Sequence, residues 1–190
     1  MEVFEVDFRY VGPKHLKEVK KPLPGSGIDQ WGIYTDEGST DILIENNLSY
    51  RCNSSPFHQH YGKDNIIQNN IFAFGEESAI QRTKIEPHCS FIFKNNIVYL
   101  EQGTILGGNF QKPAAFFEKN LYYSPRRRCL DFGDRTFTEW KKLGQDKGSI
   151  IADPKFVNPK KWDFRLRKSS PAFKIGFKEI DFSKVGPRSV

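Results

Sequence analysis

A short apolar segment that ends in two asparagines, or in Lys-Asn, recurs four times and constrains the fold more than any other feature. The second Asn of each copy recurs at intervals of 23, 26 and 24 residues, at Asn47, Asn70, Asn96 and Asn120. A second column of strand-like segments keeps step at intervals of 24, 23 and 25 residues, at Ile33, Phe57, Ile80 and Ile105. Two columns with one period indicate a solenoid of stacked repeats.

A period near 24 residues, with two or three short strands in each repeat, predicts an all-β right-handed parallel β-helix of about four coils. In this fold each coil lies about 4.8 Å from the next and buries its inner face only against its neighbours. Asn suits the corners because it tolerates left-handed backbone, and stacked Asn side chains can form an amide ladder. A leucine-rich repeat has a similar period, but its L-x-x-L-x-L pattern is absent.

The repeat divides the chain into three parts. Residues 29–125 are predicted to form the coils. Residues 1–28 contain several Gly and Pro and do not fit the repeat, so this irregular segment either caps the first coil or replaces coils that a longer protein would have. We favour truncation, because four coils are few for this class. Residues 126–190 are predicted to form a C-terminal capping region over the last coil, with a short helix that begins at the capping-box pattern Thr136-Phe-Thr-Glu139.

Composition argues against several classes of protein. The aromatic content of 14% argues against a disordered chain, and no apolar run approaches the roughly 18 residues of a membrane-spanning helix. The first ten residues lack the basic and apolar regions of a secretory signal, so the localisation stays open. Three cysteines without C-x-x-C spacing predict neither a zinc site nor a disulfide framework. We therefore expect no cofactor, no metal, no membrane partner and a monomeric protein.

The net charge of +6 is unevenly distributed along the chain. Residues 1–111 carry 10 basic and 14 acidic side chains, whereas residues 112–190 carry 19 basic and 9 acidic ones. A basic tail of this kind can bind nucleic acid or anionic sugars. Because no nucleic-acid-binding motif accompanies it, a solvated surface is the simplest interpretation, and we expect no nucleic-acid partner.

Side chains alternate between the two faces of a strand, which separates an inner from an outer surface. If the apolar column of Ile33, Phe57 and Ile80 points inward, its polar neighbours point outward on successive coils. Trp31 lies just before this outer face and could provide a wall on which a sugar stacks. The predicted substrate-binding residues are Trp31, Tyr34, His58, His60, Gln81, Arg82 and Lys84. His58 and His60 also have the spacing of a metal-binding pair, but no third ligand is evident in the sequence.

Hydrolysis of a glycosidic bond requires two carboxyl groups, about 5–5.5 Å apart in retaining enzymes and about 6.5–9.5 Å apart in inverting ones. Two coil spacings of about 4.8 Å approach the larger separation. The predicted catalytic residues are Asp36, Glu37 and Glu77. Asp36 on the first coil and Glu77 at the entry to the third could meet across a groove, and Glu86 is a further candidate. Each of these carboxylates taken alone can instead be an ordinary solvated side chain.

Several stretches in the same order carry a family resemblance. They are Trp31-Gly-Ile-Tyr-Thr-Asp-Glu-Gly38, Phe57-His-Gln-His-Tyr-Gly62, Ile80-Gln-Arg-Thr83, Gly144-Gln-Asp-Lys147 and the region from Ala152-Asp-Pro to Ser170-Pro-Ala172. Over residues 29–187 or so, the chain resembles the C-terminal half of bacterial right-handed parallel β-helix proteins of glycoside hydrolase family 141. The resemblance implies fucosidase or xylanase activity on plant polysaccharides, with Asp36 as the leading catalytic candidate. Members of that family are longer and carry a secretory signal, so full-length relatives are expected to be secreted or periplasmic.

Two classes of function follow from these observations. The first is an enzyme, or a truncated fragment of one, that hydrolyses glycosidic bonds in a polysaccharide or oligosaccharide. A related alternative is a polysaccharide lyase, in which His60 or Lys84 acts as the base, Arg82 and Lys84 hold a uronate, and Ca²⁺ often assists. The second class is a non-catalytic carbohydrate-binding or structural β-helix remnant, which the absence of further coils before residue 29 favours.

Overall fold

The structure is a computed structural model that describes residues 31–111 and 114–182. The predicted N-terminal segment, residues 1–28, lies outside the described residues. Four coils each contribute three short strands. In chain order these are β1 (Ile33–Thr35), β2 (Leu43–Glu45), β3 (Leu48–Tyr50), β4 (Phe57–Gln59), β5 (Asn65–Gln68), β6 (Ile71–Ala73), β7 (Ser78–Arg82), β8 (Phe91–Lys94), β9 (Ile97–Tyr99), β10 (Thr104–Gly108), β11 (Ala115–Glu118) and β12 (Leu121–Tyr123).

Equivalent strands of successive coils pair in parallel and form three sheets. Sheet 1 has the order β1-β4-β7-β10, and sheet 2 has the order β2-β5-β8-β11. Sheet 3 has the order β3-β6-β9-β12-β13, where β13 is Ile150–Ile151. The predicted all-β parallel β-helix of about four coils is confirmed. Within residues 31–111 and 114–182, no helix has the length and apolarity needed to cross a membrane.

The predicted inner column of sheet 1 is confirmed for three coils and wrong by one residue in the fourth. Ile33, Phe57 and Ile80 are mutual partners in the register. In the fourth coil the partner of Ile80 is Leu106 and not Ile105. Both Ile105 and Leu106 are buried, so the apolar pattern does not distinguish them. The added residues lie in the connection after β7, which has eight residues where the one after β4 has five, whereas the turns before β7 and β10 both have four.

The two asparagines of each repeat have different tasks. The first position adopts left-handed backbone in all four coils, with φ values of 60°, 53°, 53° and 51°, at Asn46, Asn69, Asn95 and Lys119. The second position is buried and forms the predicted amide ladder. Its side-chain donor–acceptor distances are 3.0, 3.1 and 3.4 Å along the series Asn47, Asn70, Asn96 and Asn120. The ladder also satisfies main-chain groups at the corner, because each amide oxygen accepts the backbone N–H of the preceding ladder residue.

Stacked aromatic rings fill the interior of the coils. Phe57, Phe91, Phe93 and Phe117 are buried, with neighbouring ring centroids 5.4 to 6.2 Å apart. Burying one side chain of this size stabilises the fold by about 1.5–3 kcal/mol. This interior holds the side chains of the outer faces in fixed positions relative to one another.

A short helix closes the last coil, as predicted. Helix α1 (Phe137–Lys142) begins with the predicted capping box, in which Thr136 and Glu139 exchange side-chain-to-backbone hydrogen bonds. Trp140, the buried residue of the helix, packs against Phe117 and Phe132 at the end of the stacked interior. The capping-box pattern and the apolar residues of this segment therefore predict both the start of α1 and its role as a cap.

Residues 153–182, the C-terminal flank, were predicted to lie over the last coil, and they lie elsewhere. Its antiparallel strands β14 (Phe156–Asn158) and β15 (Asp163–Leu166) and the 3₁₀ turns Pro159–Lys161 and Pro171–Ile175 lie along the outer face of sheet 3. The outward side chains of that sheet include Ile71, Ile97 and Leu121, which are apolar and have to be covered. Two hydrogen bonds fix its position: the Lys178 backbone N–H donates to the Asn69 side-chain oxygen at 2.6 Å, and the Asn95 side-chain amide donates to the Ile175 carbonyl at 2.5 Å.

Candidate functional site

The outer face of sheet 1 carries an aromatic surface formed by five side chains. The Trp31 and Tyr34 rings stack with centroids 4.9 Å apart and an angle of 22° between planes. Tyr34 and His60 are nearly parallel at 6.1 Å, and His60 contacts Tyr61 at 4.7 Å. His58 completes the surface, with its ring centroid 4.6 Å from that of Trp31. The surface runs along the strand direction, from the start of coil 1 to the end of β4.

Two of the predicted binding residues support this surface from below. His58 is only 3% exposed, because Trp31 and Tyr34 cover it, and its Nε2 hydrogen-bonds to the hydroxyl of Thr83. Gln81 accepts the indole N–H of Trp31 at 3.3 Å. These contacts orient the rings. Trp31, Tyr34, His60 and Lys84 are members of the predicted set that a ligand can reach.

A corner cleft opens beside the aromatic surface, where the chain turns from sheet 1 to sheet 2. Its volume is about 420 Å³. The turns of three successive coils line it, with Glu37, Gly38 and Thr40 from coil 1, Tyr61, Gly62 and Lys63 from coil 2, and Glu86 and His88 from coil 3. Tyr61 belongs to both features, so the aromatic surface continues directly into the corner cleft.

Two carboxylates face this cleft from different coils. Glu86 is half-buried; it pairs with His88 at 3.2 Å and accepts the Gly62 backbone N–H at 3.4 Å. Glu37 is exposed, and its backbone N–H donates to Asp36 at 2.8 Å. The two glutamates belong to coils 1 and 3, and the Glu86 carboxylate reaches back to the coil 2 backbone at Gly62. Glu37 and Glu86 therefore approach the cleft from opposite sides along the solenoid axis.

The predicted pairing of Asp36 with Glu77 is wrong. Asp36 follows the last residue of β1, whereas Glu77 precedes β7 and accepts the Ser54 hydroxyl at 2.7 Å. Because Thr35 is in register with Arg82 through Gln59, Asp36 and Glu77 lie at opposite ends of sheet 1. Six positions along a strand correspond to about 20 Å.

Asp36 interacts with the aromatic surface instead. Burial raises the pKa of Tyr34 above its usual value. The negative charge of Asp36 and a hydrogen bond to Asp36 raise this pKa further. The Tyr34 hydroxyl therefore stays protonated near neutral pH and can donate a hydrogen bond. Asp36 thus lies between the aromatic surface and Glu37, whose backbone N–H it accepts.

The predicted substrate-binding role of Arg82 is also wrong. Arg82 belongs to the inner column of sheet 1 with Thr35 and Gln59, and its side chain is 0% exposed. Its Nε donates to the Asn109 carbonyl at 2.6 Å, its guanidinium lies 4.9 Å from the Phe110 ring centroid, and burial lowers its pKa. Lys84, by contrast, is exposed, with its Nζ 5.8 Å from the Tyr61 ring centroid.

The turns contribute lining residues that sequence reasoning missed, namely Lys63 and His88. Each follows a sheet 1 strand after a different number of residues, so the repeat period does not align them. The sequence Glu86-Pro-His88 could have indicated His88, because a proline between two polar residues marks a turn. Within the described residues, no three His, Cys, Asp or Glu side chains are grouped closely enough to hold a metal ion.

The chain matches no known family model, no curated protein sequence and no solved structure. The structure itself defines a parallel β-solenoid of four coils, with an aromatic surface on sheet 1 that leads into a corner cleft containing two glutamates.

Proposed function

We propose that this protein is a carbohydrate-active β-helix protein that hydrolyses glycosidic bonds in the corner cleft. One observation carries the proposal: Glu37 and Glu86, from coils 1 and 3, line a single cleft that is continuous with an exposed aromatic surface. Aromatic rings with a few polar groups beside them are suited to holding a sugar, which has both apolar faces and hydroxyl edges. Two carboxyl groups that flank one bond are the usual means of cleaving the linkage between two sugars.

In this proposal the mechanism is inverting, with a water molecule between one carboxylate and the sugar ring. Glu86 is the base, because His88 and the Gly62 N–H stabilise its carboxylate while it takes a proton from that water. Glu37 is the acid and gives its proton to the glycosidic oxygen as the bond to the anomeric carbon breaks. The water oxygen forms the new bond to the anomeric carbon.

The lyase alternative is less well supported. A lyase has to neutralise the carboxylate of a uronate. Of the two cations predicted for that task, Arg82 is inside the solenoid and only Lys84 remains at the surface. Non-catalytic carbohydrate binding is the stronger alternative, since the aromatic surface does not depend on either glutamate.

The decisive experiment measures sugar release from aryl glycosides and plant polysaccharides by the wild type and three variants. Glu37→Gln and Glu86→Gln are each expected to lower turnover by at least about 100-fold, the usual contribution of a general acid or base. The control is Glu77→Gln, which removes an exposed carboxylate outside the cleft and should leave turnover unchanged. Sugar binding without cleavage by the wild type would establish the non-catalytic function, and the absence of both would overturn the proposal.

A further inference from the structure

The C-terminal flank concentrates positive charge on one side of the molecule. Residues 153–182 contain eight basic and four acidic side chains, whereas residues 31–111 contain five basic and nine acidic ones. All eight cations are exposed, namely Lys155, Lys160, Lys161, Arg165, Arg167, Lys168, Lys174 and Lys178. The flank is therefore a positively charged surface attached to a solenoid whose coils are mostly negative.

Few of these cations are neutralised within the described part of the chain. Arg165 pairs with Asp163 at 2.5 Å, and its side chain remains 65% exposed. No other cation of the flank lies within ion-pair distance of a carboxylate among residues 31–111 and 114–182. Among the described residues, the side chains of Lys155 and Arg167 bond to a serine hydroxyl and a backbone carbonyl, neither of which carries a compensating negative charge.

The β14–β15 hairpin presents the cations as a fixed array. Its aromatic and aliphatic side chains are buried against sheet 3, so the hairpin cannot turn over. The Arg167 N–H donates to the Lys155 carbonyl at 3.1 Å, which sets these two cations side by side at one end of the hairpin. Lys160 and Lys161 lie in the 3₁₀ turn at the other end. Charges spread along an element suit a polymer with repeated charges better than one small anion.

We propose that the C-terminal flank binds an acidic polysaccharide, that is, a sugar polymer with regularly spaced carboxylates. The negative charge of the ligand follows from the flank itself, whereas the choice of a sugar polymer rests on the proposed function. The three rings of the hairpin, Phe156, Trp162 and Phe164, pack against sheet 3. Phe173 is the exposed ring of the flank, and a single ring is no platform for successive stacked nucleobases. The flank thus supplies charge contacts, and it does so on a different sheet from the corner cleft.

The test compares binding of the full chain to immobilised polygalacturonate and to its methyl-esterified form, which has the same backbone and little charge. The wild type is expected to bind the acidic form, with affinity that falls as added salt screens the charges, and to ignore the ester. The triple variant K155Q/R167Q/K168Q is expected to bind about tenfold more weakly, because each exposed ion contact contributes modestly. The control K141Q/K142Q/K147Q removes equal charge from exposed positions at the end of the solenoid and should bind normally.

Three results would overturn this proposal. The first is no binding to polygalacturonate even at low salt. The second is an equal loss in both triple variants, which would show that net charge attracts the polymer. The third is tighter binding to double-stranded DNA at the same salt concentration, which would assign the surface to nucleic acid. Binding of polygalacturonate does not require cleavage of a glycosidic bond, so failure of the hydrolysis assay leaves this test independent.

Discussion

Asn120 donates its side-chain amide to the carboxylate of Asp146 at 3.2 Å, and this contact joins the amide ladder of the coils to the C-terminal cap. The same fully buried carboxylate accepts the Tyr122 hydroxyl at 3.0 Å, the Trp140 indole N–H at 2.8 Å and the Ser149 hydroxyl at 2.6 Å. One acid therefore ends the ladder and holds α1 over the last coil.

Replacing Asp146 with Ala is expected to be severely destabilising. The substitution leaves several buried donors without an acceptor, each of which costs about 1–3 kcal/mol, so the free energy of unfolding should fall by about 3–5 kcal/mol. Urea unfolding followed by circular dichroism measures the change. Glu179→Ala is the control, since it removes an exposed acid and should stay within about 0.5 kcal/mol of the wild type. A small change in the Asp146 variant would contradict the role of this acid.

The pH dependence of stability should reveal the same carboxylate. Burial raises the pKa of Asp146 above its ordinary value of 3.8, and its four hydrogen-bond donors only partly oppose this. An acid with a raised folded-state pKa binds protons more tightly in the folded chain, so its contribution to stability grows as the pH falls through that raised pKa. We expect the wild type to gain stability relative to Asp146→Asn between neutral pH and about pH 4. Urea unfolding of both proteins at a series of pH values tests this, and the opposite trend would refute it.

The two positions of each Asn pair should respond differently to substitution. Asn70 accepts from Asn47 and donates to the Ile44 carbonyl at 2.9 Å, so Asn70→Ala should lower the free energy of unfolding by about 2–4 kcal/mol. Asn46 supplies left-handed backbone, which Gly adopts readily, and its exposed side chain accepts one hydrogen bond from Asn69. Asn46→Gly should therefore change the free energy of unfolding by less than about 1 kcal/mol. Thermal and urea unfolding provide the comparison. Similar losses in both variants would contradict the division of tasks.

The inner position of Arg82 leads to a further contrast. Arg82→Ala removes a fully buried side chain together with its bond to the Asn109 carbonyl, and should cost about 2–4 kcal/mol in stability. Lys84→Ala alters only an exposed side chain and should cost less than about 0.5 kcal/mol. Melting temperatures of the two variants make the comparison, and equal shifts would mean that Arg82 is not a structural residue.

Much of the fold could be predicted because the sequence itself repeats with a nearly regular period. The Asn columns and the apolar column through Ile33, Phe57 and Ile80 specify the coils, since stacked coils require equivalent residues at equivalent positions. Side chains alternate between the two faces of a strand, so Arg82 lies on the same inner face as Ile80, two residues before it. The inward direction of Arg82 could therefore be predicted from the sequence. The shift from Ile105 to Leu106 could not be predicted, because the longer connection after β7 changes the spacing while both positions are apolar.

The site was less predictable because it is built from turns. The connections after β1, β4 and β7 have seven, five and eight residues, so no period relates the residues within them. Glu37 and Glu86 were both candidates, but only the coordinates show that they share a cleft while Glu77 lies at the far end of sheet 1. Residues 153–182 lie along sheet 3 because its outward apolar side chains have to be covered. A prediction of the strands alone does not say which segment of the chain covers them.

Trp31 provides the most direct test of the aromatic surface. Its indole is partly exposed, stacks on Tyr34 and is held by Gln81, whereas Trp140 is buried in the cap. An oligosaccharide that stacks on Trp31 should change the intrinsic fluorescence of the wild type and leave that of Trp31→Phe nearly unchanged. Removing the ring in Trp31→Ala should weaken oligosaccharide binding by about tenfold or more, while the melting temperature shifts little, because large aromatic side chains dominate such contacts. Gln81→Ala, which frees the indole without removing it, should give an intermediate loss, and wild-type affinity in Trp31→Ala would exclude this surface from binding.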